Sequence, residues 1–199
     1  FKHDFMTFGV IMKQAKTLTE RDMKTVLSYC STRRYAARDR AIVLVSHLAG
    51  LRAKEIAALT IANVIAEDGS IREEFTLTPQ QTKGNKSRRV FLCAKLRKEL
   101  SLYMVSVYKH DLNANLFTTQ KSKSFSANTM CQLLIEIYKN CGIVGATSHS
   151  GRRTFITNLA AKGVGVRVLA ELAAHASIST TQRYIDVNDE QLRAAVELF

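Results

Sequence analysis

A histidine and a tyrosine stand nine residues apart in the segment AHASISTTQRYIDV, residues 174–187. On one continuous α-helix that separation is about two and a half turns, which would point His175 and Tyr184 to opposite faces. Serine is a good helix N-cap, so either Ser177 or Ser179 could begin a new helix between them. The pattern predicts a helix that ends near His175 and a second helix that carries Tyr184. A tyrosine hydroxyl held beside basic groups can act as a nucleophile.

Five further polar residues stand where the hydrophobic pattern does not require them. His149 and Arg152 are spaced i, i+3 in SHSGRRTF, which places them on one face of a predicted helix. Arg52 begins another predicted helix, with Glu55 three residues later, and Lys83 lies immediately before a predicted turn. Taken singly, each has an ordinary explanation: a solvated helix start, a surface ion pair of small energetic value, or a solvated turn lysine. Only their combination can indicate a function.

The chain is strongly basic. Its 199 residues include 29 lysines and arginines against 17 aspartates and glutamates, a formal net charge of +12. This excess favours a polyanionic partner, most simply nucleic acid, although a basic protein without such a partner fits the charge equally well. The basic residues are spread along the chain, which disfavours an anionic membrane. The segment AIVLVSHLAGL, residues 41–51, is too short to span a bilayer, and the N-terminus does not resemble a signal peptide.

The four cysteines are far apart and form no C-x-x-C pair. We interpret them as buried, reduced thiols of a cytosolic protein, in preference to disulfides or zinc ligands. No metal and no cofactor is predicted. The cysteines are Cys30, Cys93, Cys131 and Cys141.

The hydrophobic pattern predicts a mainly α-helical domain over residues 18–199, preceded by a linker or irregular lead-in over residues 1–17. The first helix is predicted to begin at Thr19, with Asp22 as its capping partner. Further helices are predicted over residues 37–49, 53–59, 95–109, 127–140, 149–162, 166–174, 180–185 and 188–199.

Between these helices the pattern changes to short runs typical of β-strands. Residues 62–93 predict a small three-stranded antiparallel sheet, which makes the fold class α+β. Asp68-Gly69 and Gly84-Asn85 are predicted as its turns, and Pro79, the only proline, is expected at the end of the middle strand.

Four segments, taken together and in this order, closely resemble one known family. GLRAKEIAAL, TKGNKSRRVFL, SHSGRRTF and AHASISTTQRY resemble the catalytic domain of the tyrosine recombinases, the phage-integrase and Xer-like family. The resemblance spans roughly residues 18–190 and implies the catalytic-core fold of that family. Mapped onto this chain, the family's catalytic set is Arg52, Lys83, His149, Arg152, His175 and Tyr184.

Three positions depart from the common family pattern. Gly151 stands where many members have leucine, Arg153 where many have histidine, and Ala174 where glycine is common. None of them replaces a catalytic group, so the departures concern the subfamily and leave the implied activity unchanged.

The resemblance implies that Tyr184 attacks a DNA phosphodiester and forms a covalent 3′-phosphotyrosine, while a 5′ hydroxyl leaves. Arg52 and Arg152 are then expected to grip the non-bridging oxygens, with His175 as a third donor.

Three roles are less direct. Lys83 is the candidate general acid, and His149 accepts the tyrosine proton or orients the phosphate. Glu55 is expected to position Arg52 or a neighbour. No metal is expected, because cationic side chains supply the positive charge that a metal ion would provide. No nucleotide is expected, because the phosphotyrosine bond conserves the energy of the broken phosphodiester bond.

The implied function is that of a site-specific DNA recombinase or integrase. Strand exchange then implies double-stranded DNA, a homo-tetramer on synapsed DNA and a Holliday-junction intermediate, with accessory DNA-bending proteins as further partners. The chain alone is expected to be a monomer that binds DNA weakly, because family members usually carry a further DNA-binding domain on the N-terminal side of the catalytic domain. The C-terminal helix is expected to dock either on a neighbouring protomer or on its own domain. The expected location is cytoplasmic, at the nucleoid, in a bacterial or phage context.

Two other functions are compatible with parts of the sequence. A type IB topoisomerase uses nearly the same chemistry to relax DNA, and a telomere resolvase is a more distant variant, but GLR and HASISTTQRY are more typical of recombinases. A non-catalytic helical DNA-binding module would explain the charge and the helices. It would leave the six matching residue types without an explanation.

Overall fold

The computed structural model of the chain describes residues 14–82, 84–107, 111–185, 192–193 and 196–197. Within these residues, no helix is long and apolar enough to cross a membrane. The elements in chain order are α1 (Glu20–Thr32), α2 (Ala36–Leu48), α3 (Ala53–Ala57), α4 (Ile61–Val64), β1 (Glu74–Leu77), a 3₁₀ turn (Pro79–Gln81), β2 (Arg88–Phe91), α5 (Ala94–Val107), α6 (Ala127–Asn140), α7 (Ser150–Ala161), α8 (Val166–Ala173) and α9 (Ile178–Gln182).

Helix α1 begins where the sequence predicts. The Thr19 hydroxyl accepts the Asp22 N–H, and the Asp22 carboxylate accepts the Thr19 N–H at 2.9 Å, which completes a capping box. The apolar stripe Met23, Val26 and Cys30 is buried. The cap therefore fixes the start of the helix, and the stripe fixes which face turns inward.

Helix α2 is the central helix of the bundle. It is buried continuously from Ala41 to Ser46, and it packs against α1, α3, α5 and α7. A helix surrounded on all sides needs no polar face, which explains its unbroken apolar run. Because α2 leads through Gly50 to Arg52 and α7 carries Arg152, their packing brings the two arginines together.

A small antiparallel sheet covers one side of the bundle. Strands β1 and β2 pair with Phe75 opposite Val90 and Leu77 opposite Arg88. These four side chains face inward, and the alternate side chains of both strands are exposed. The prediction of a mainly helical fold with a small antiparallel sheet is confirmed.

The predicted third strand is wrong, because part of it is a helical turn. The Asn63 side chain accepts the Thr60 N–H at 2.9 Å and caps α4, whose Ile61 and Val64 are both buried. Burial at i and i+3 is the helical period, and it overrides the strand propensity of IANVIA. The described residues thus form a sheet of two strands. The Asp68-Gly69 turn is present beside it, closed by a single bridge between Ile65 and Ile71.

The other helix predictions up to residue 185 are confirmed in place, and their ends agree with the structure or differ from it by up to three residues. The predicted end of the helix over 95–109 lies outside the described residues. Pro79 begins the 3₁₀ turn after β1, close to the predicted strand end. The predicted helix over 188–199 lies almost wholly outside the described residues, as does the lead-in up to residue 13. The cysteines are free thiols, but only Cys30 is buried, and Cys93 is exposed because it lies in the connection between β2 and α5.

Candidate active site

The break between His175 and Tyr184 exists and has two parts. Helix α8 ends at Ala174, which adopts the left-handed conformation with φ 46° and ψ 55°. Helix α9 begins at Ser177, whose hydroxyl accepts the Ser179 N–H. Of the two serines that could cap this helix, Ser177 is therefore the N-cap of α9. The αL conformation suits glycine best, which gives a physical reason for the glycine that is common at this position in the family.

The break brings His175 and Tyr184 to the same side. Their rings are stacked with centroids 5.7 Å apart and planes at 24°. His175 Nδ1 lies 2.8 Å from Oγ1 of Thr181, a fully buried residue of α9. When the threonine hydroxyl donates this hydrogen bond, the imidazole proton sits on Nε2, and the ring can donate from that atom to a ligand.

Arg152 is held from two sides by backbone carbonyls. Its Nη1 donates to Gly50 O at 2.7 Å and its Nη2 donates to Ala173 O. The residue is only 5% exposed. A guanidinium has five N–H groups, so these two bonds fix its orientation and leave others for a ligand.

Two glycines allow the helices to approach closely enough for this arrangement. Gly50 has φ +63°, and a Cβ there would lie 2.5 Å from the ring of Phe155. A Cβ on Gly151 would lie 2.5 Å from the hydroxyl of Ser46 on α2. The departure Gly151 thus has a structural explanation, because α7 meets α2 at this point.

Arg52 lies at the start of α3, where Glu55 fixes it. Glu55 Oε2 accepts the Arg52 backbone N–H at 2.8 Å, and Oε1 pairs with Arg52 Nη1 at 2.9 Å. Arg52 Nη2 lies 3.4 Å from Ala174 O. The alternative of a surface ion pair is wrong, because Glu55 is fully buried. The role of Glu55 in positioning Arg52 stays a prediction.

A third arginine, Arg88 of β2, belongs to the same cluster. Its Nη1 pairs with Glu55 Oε2 at 2.7 Å and its Nη2 donates to Leu172 O at 2.8 Å. The three arginines thus bind three successive carbonyls, those of Leu172, Ala173 and Ala174, at the end of α8. Helix C-termini carry partial negative charge, which stabilises the cations there.

The cluster shifts the pKa values of its members. Burial, and then the positive charges of Arg52 and Arg88, lower the pKa of Arg152 to about 9. Burial also lowers the pKa of His175 to about 4, with further contributions from Arg152, Arg52 and Arg88, so the ring is neutral at pH 7. Burial alone would raise the pKa of Glu55, but Arg88 and Arg52 outweigh it and hold the carboxylate ionised. The site is therefore a preformed positive pocket around one buried anion.

Tyr184 is half-buried at the end of α9, where its N–H donates to Thr181 O at 2.9 Å. The guanidinium of Arg153 lies over its ring, 5.2 Å from the centroid. Arg153 Nε also donates to Thr17 Oγ1 at 3.2 Å. The departure Arg153 therefore places a cation against the candidate nucleophile.

His149 occupies the N-cap position of α7, and its N–H donates to Thr147 Oγ1 at 3.1 Å. A cleft of about 530 Å³ is lined by five of the residues that the sequence singled out: Arg52, His149, Arg152, His175 and Tyr184. The structure thus brings together residues that are up to 132 positions apart in the chain.

Lys83, the sixth residue, lies outside the described residues. Its neighbours Thr82 and Gly84 line a second cleft of about 580 Å³, which shares Arg52 and His175 with the first. Thr82 is anchored, since its carbonyl accepts Lys54 Nζ at 3.0 Å and its hydroxyl donates to the Lys86 carbonyl at 2.9 Å. The placement of Lys83 as general acid stays a prediction.

Sequence reasoning missed three residues of the site: Arg88, Thr181 and Arg153. Arg88 had a detectable signal, because it shares the inward face of a strand with Val90, where an arginine needs a buried partner. Thr181 and Arg153 had no such signal in the sequence, since their contacts with His175 and Tyr184 depend on how α9 packs after the break. Within the described part of the chain, no group of three or more His, Cys, Asp or Glu side chains could hold a metal ion.

The comparison with known proteins agrees with this arrangement. A model described as the phage integrase family matches residues 16–191. The chain is 32% identical over 185 residues to the tyrosine recombinase XerA of Pyrococcus furiosus, a match that covers 92% of this chain and 61% of that protein. The chain therefore belongs to the phage integrase family.

Solved structures share the fold. A crystal structure of XerA recombinase superposes with a TM-score of 0.73 at 27% identity, covering 93% of this chain and 64% of that one. The XerH site-specific recombinase, solved with its difH substrate before cleavage, has a TM-score of 0.66 at 23% identity over 91% of this chain and 53% of that one, and this likeness is one of fold alone. The chain spans about three fifths of the length of the XerA protein it matches.

Proposed function

We propose that this chain is the catalytic part of a site-specific DNA recombinase, which cleaves and rejoins strands through a covalent 3′-phosphotyrosine at Tyr184. The observation that carries the proposal is the shared cleft. Two arginines, a neutral histidine and a tyrosine face one space, and the arginines and the histidine are fixed before any ligand arrives. Preorganised donors of this kind often make the greatest single contribution to an enzyme's rate enhancement.

The arginines account for the recognition of a phosphodiester. The transition state of strand cleavage places extra negative charge on the non-bridging oxygens, and planar guanidiniums donate to them with several N–H groups each. Arg152 is held by two carbonyls and Arg52 by Glu55, so neither has to be reorganised during the reaction. Loss of one such donor typically costs ~10²–10³ in rate.

His175 serves as a neutral donor. Its pKa of about 4 keeps it uncharged, and a hydrogen bond donated by the Thr181 hydroxyl to Nδ1 would place the ring proton on Nε2. A neutral imidazole can still donate a hydrogen bond to a phosphate oxygen. His175 therefore adds a third donor without adding a third full charge.

Side chains of this protein can supply and accept the protons that strand cleavage requires. The Tyr184 oxygen forms a bond to phosphorus, the bond from phosphorus to the 5′ oxygen breaks, and the tyrosine proton passes to His149 or to solvent. Lys83 gives a proton to the departing 5′ oxygen. Rejoining reverses these steps with the 5′ hydroxyl of a partner strand, so one phosphoester replaces another and neither a nucleotide nor a metal is needed.

Recombination of two duplexes extends the proposal to an assembly. Cleavage of one strand in each of two duplexes leads through a Holliday junction and needs several protomers, so we propose a homo-tetramer on synapsed double-stranded DNA, aided by DNA-bending proteins. The charge of +12 supports a large contact with phosphates. In a cell such a protein would act at the nucleoid.

The test uses the full-length protein that contains this chain. Covalent protein–DNA adducts are isolated under denaturing conditions from cells that express it, and sequencing of the attached DNA ends identifies the site. A nicked suicide substrate of that sequence should then trap the wild type covalently. Tyr184→Phe should bind the substrate and trap nothing, whereas Tyr35→Phe, a control that removes a hydroxyl outside the cleft, should trap it normally. A wild type that binds its site without forming an adduct would refute the proposal.

A further inference from the structure

Arg88 connects three segments of the site. It lies in the segment TKGNKSRRVFL but is not one of the six residues of the family's catalytic set. Strand β2 supplies the residue, the start of α3 supplies Glu55, and the end of α8 supplies the Leu172 carbonyl. The side chain is only 3% exposed, so its charge is balanced by these contacts and not by water.

The contact with Glu55 determines how Arg52 is bound. Glu55 Oε2 accepts Arg88 Nη1 and the Arg52 backbone N–H, which leaves only Oε1 for the Arg52 guanidinium. A carboxylate with both oxygens available prefers to bind a guanidinium with two parallel hydrogen bonds. Because Arg88 occupies Oε2, Arg52 is bound to Glu55 through Nη1 alone, and N–H groups of Arg52 remain for a phosphate.

The contact with Leu172 determines where the histidine lies. Leu172 lies three residues before His175. Only Ala173 and Ala174 separate them, and Ala174 has the left-handed conformation. The next carbonyl, that of Ala173, accepts a hydrogen bond from Arg152, which belongs to α7. The end of α8 is therefore clamped between β2 and α7, and His175 follows directly from the clamped segment.

We propose that Arg88 is a positioning residue for strand cleavage, which keeps Arg52 available to the phosphate and fixes the end of α8 that carries His175. This inference rests on the proposed function. Arg88 does not line the cleft that Arg52, Arg152, His175 and Tyr184 share, so it is not placed to bind a phosphate there. It acts through other residues and is not a catalytic residue.

The first test compares single-turnover cleavage of the suicide substrate with DNA affinity. Arg88→Met keeps the length and burial of the side chain and removes both contacts, and it should slow adduct formation roughly 10- to 100-fold at saturating DNA. Arg40→Met is the matched control, because Arg40 makes a comparable two-bond pair with Glu99 at 2.6 and 2.8 Å, and it removes the same charge. Both variants should bind DNA equally, and only Arg88→Met should cleave slowly. Equal cleavage rates would overturn the inference.

Two further variants separate positioning from folding. Arg88→Lys retains the charge but cannot reach Glu55 and Leu172 together in the same fork, so it should cleave more slowly than wild type while unfolding at nearly the same temperature. The double variant Glu55→Gln with Arg88→Met should lose less activity than the two single losses combined predict, since both residues act on Arg52. Additive losses, or a wild-type rate in Arg88→Lys, would contradict the inference.

A measurement on the free protein decides the case even if no adduct forms. Amide hydrogen exchange should be roughly tenfold faster at Arg52 and His175 in Arg88→Met, because the hydrogen bonds of these amides to Glu55 and to Ala170 depend on the clamped geometry. Exchange in α6 should be unchanged. Unchanged exchange at Arg52 and His175 would refute the positioning role, whereas a wild type that fails to form an adduct would refute the proposed function alone. If Arg88→Met does not fold, the exchange measurement is made on Arg88→Lys with the same expected direction.

Discussion

His175 Nδ1 lies 2.8 Å from Oγ1 of Thr181, and this hydrogen bond joins the end of α8 to α9, the helix that leads to Tyr184. Thr181 is fully buried and lies three residues before Tyr184. The same threonine therefore fixes the imidazole and, through its carbonyl, accepts the Tyr184 N–H at 2.9 Å. A displacement of α9 would disturb the donor and the nucleophile together.

Thr181→Val removes the hydroxyl and keeps the shape of the side chain. We expect cleavage to slow roughly 10- to 100-fold, because the imidazole loses the partner that fixes its tautomer. Nitrogen NMR of His175 should show a mixture of the two tautomers in the variant and mainly the Nε2–H form in the wild type. Thr181→Ser, which keeps the hydroxyl, should behave like the wild type. A Thr181→Val variant with a wild-type cleavage rate would show that the hydrogen bond has no catalytic effect.

The neutral state of His175 predicts how stability depends on pH. Its pKa is about 4 in the folded chain, below the ~6.5 of an unfolded histidine, so the unfolded state binds more protons between these values. The contribution to stability is complete above pH ~6.5 and is lost progressively as the pH falls toward 4. His47, whose pKa burial and Lys95 also lower to about 4, acts in the same direction.

Urea denaturation between pH 7.5 and 4.5 measures this dependence. The free energy of unfolding should fall with pH in the wild type, and the fall should be smaller in His175→Gln. His47→Gln should reduce it independently, because the two residues share no contact among those the structure describes. A pH profile that is identical in wild type and in both variants would contradict the assignment of neutral, partly buried histidines.

Arg152→Ala and Arg52→Ala should differ in their effect on stability, although we propose that both arginines serve cleavage. Arg152→Ala leaves the carbonyls of Gly50 and Ala173 without their donor, and we expect it to lower the free energy of unfolding by about 2–4 kcal/mol. Arg52→Ala leaves Glu55 paired with Arg88, so its cost should be less than half of that. Urea denaturation measures both values, and cleavage should be severely reduced in each variant while DNA binding is largely retained. Undiminished cleavage in either variant would overturn the proposal that the two arginines bind the phosphate.

Gly151 should not tolerate a side chain unless Ser46 becomes smaller. Gly151→Ala places a Cβ 2.5 Å from Ser46 Oγ and 3.0 Å from Ser46 Cβ, which we expect to destabilise the fold by about 1–3 kcal/mol. Ser46→Gly removes both atoms, and the hydroxyl it removes has no hydrogen-bond partner among the described residues. The double variant should therefore recover part of the loss in thermal unfolding. If Gly151→Ala is as stable as the wild type, the close approach of α7 to α2 is not the reason for this glycine.

The sequence predicts those parts of the molecule that local rules determine. The break between His175 and Tyr184 follows from a capping serine, and the first helix follows from the Thr19 and Asp22 capping box. The residues that line the cleft follow from four motifs that occur in one order. In the first two cases the signal lies within a few neighbouring residues, and in the third it lies in the combination of the four motifs.

What could not be predicted depends on long-range contacts. Arg88 is buried because Glu55, 33 residues earlier in the chain, provides its counter-charge. The segment IANV is the exception, because a local contact decides it: the Asn63 side chain accepts the Thr60 N–H and makes the segment a helical turn, against its strand propensity. The carbonyls that hold the arginines belong to the backbone, and no residue type reveals them.

In the proposed reaction, Tyr184 becomes joined to the 3′ end of a cleaved DNA strand. The most direct measurement is digestion of the trapped adduct with nuclease and protease, followed by mass spectrometry of the peptide that contains residue 184. We predict a nucleotide attached to the Tyr184 oxygen through its 3′ phosphate and a free 5′ hydroxyl on the released strand. An adduct on another residue, a 5′-phosphate linkage, or cleaved DNA without any covalent protein would contradict the account.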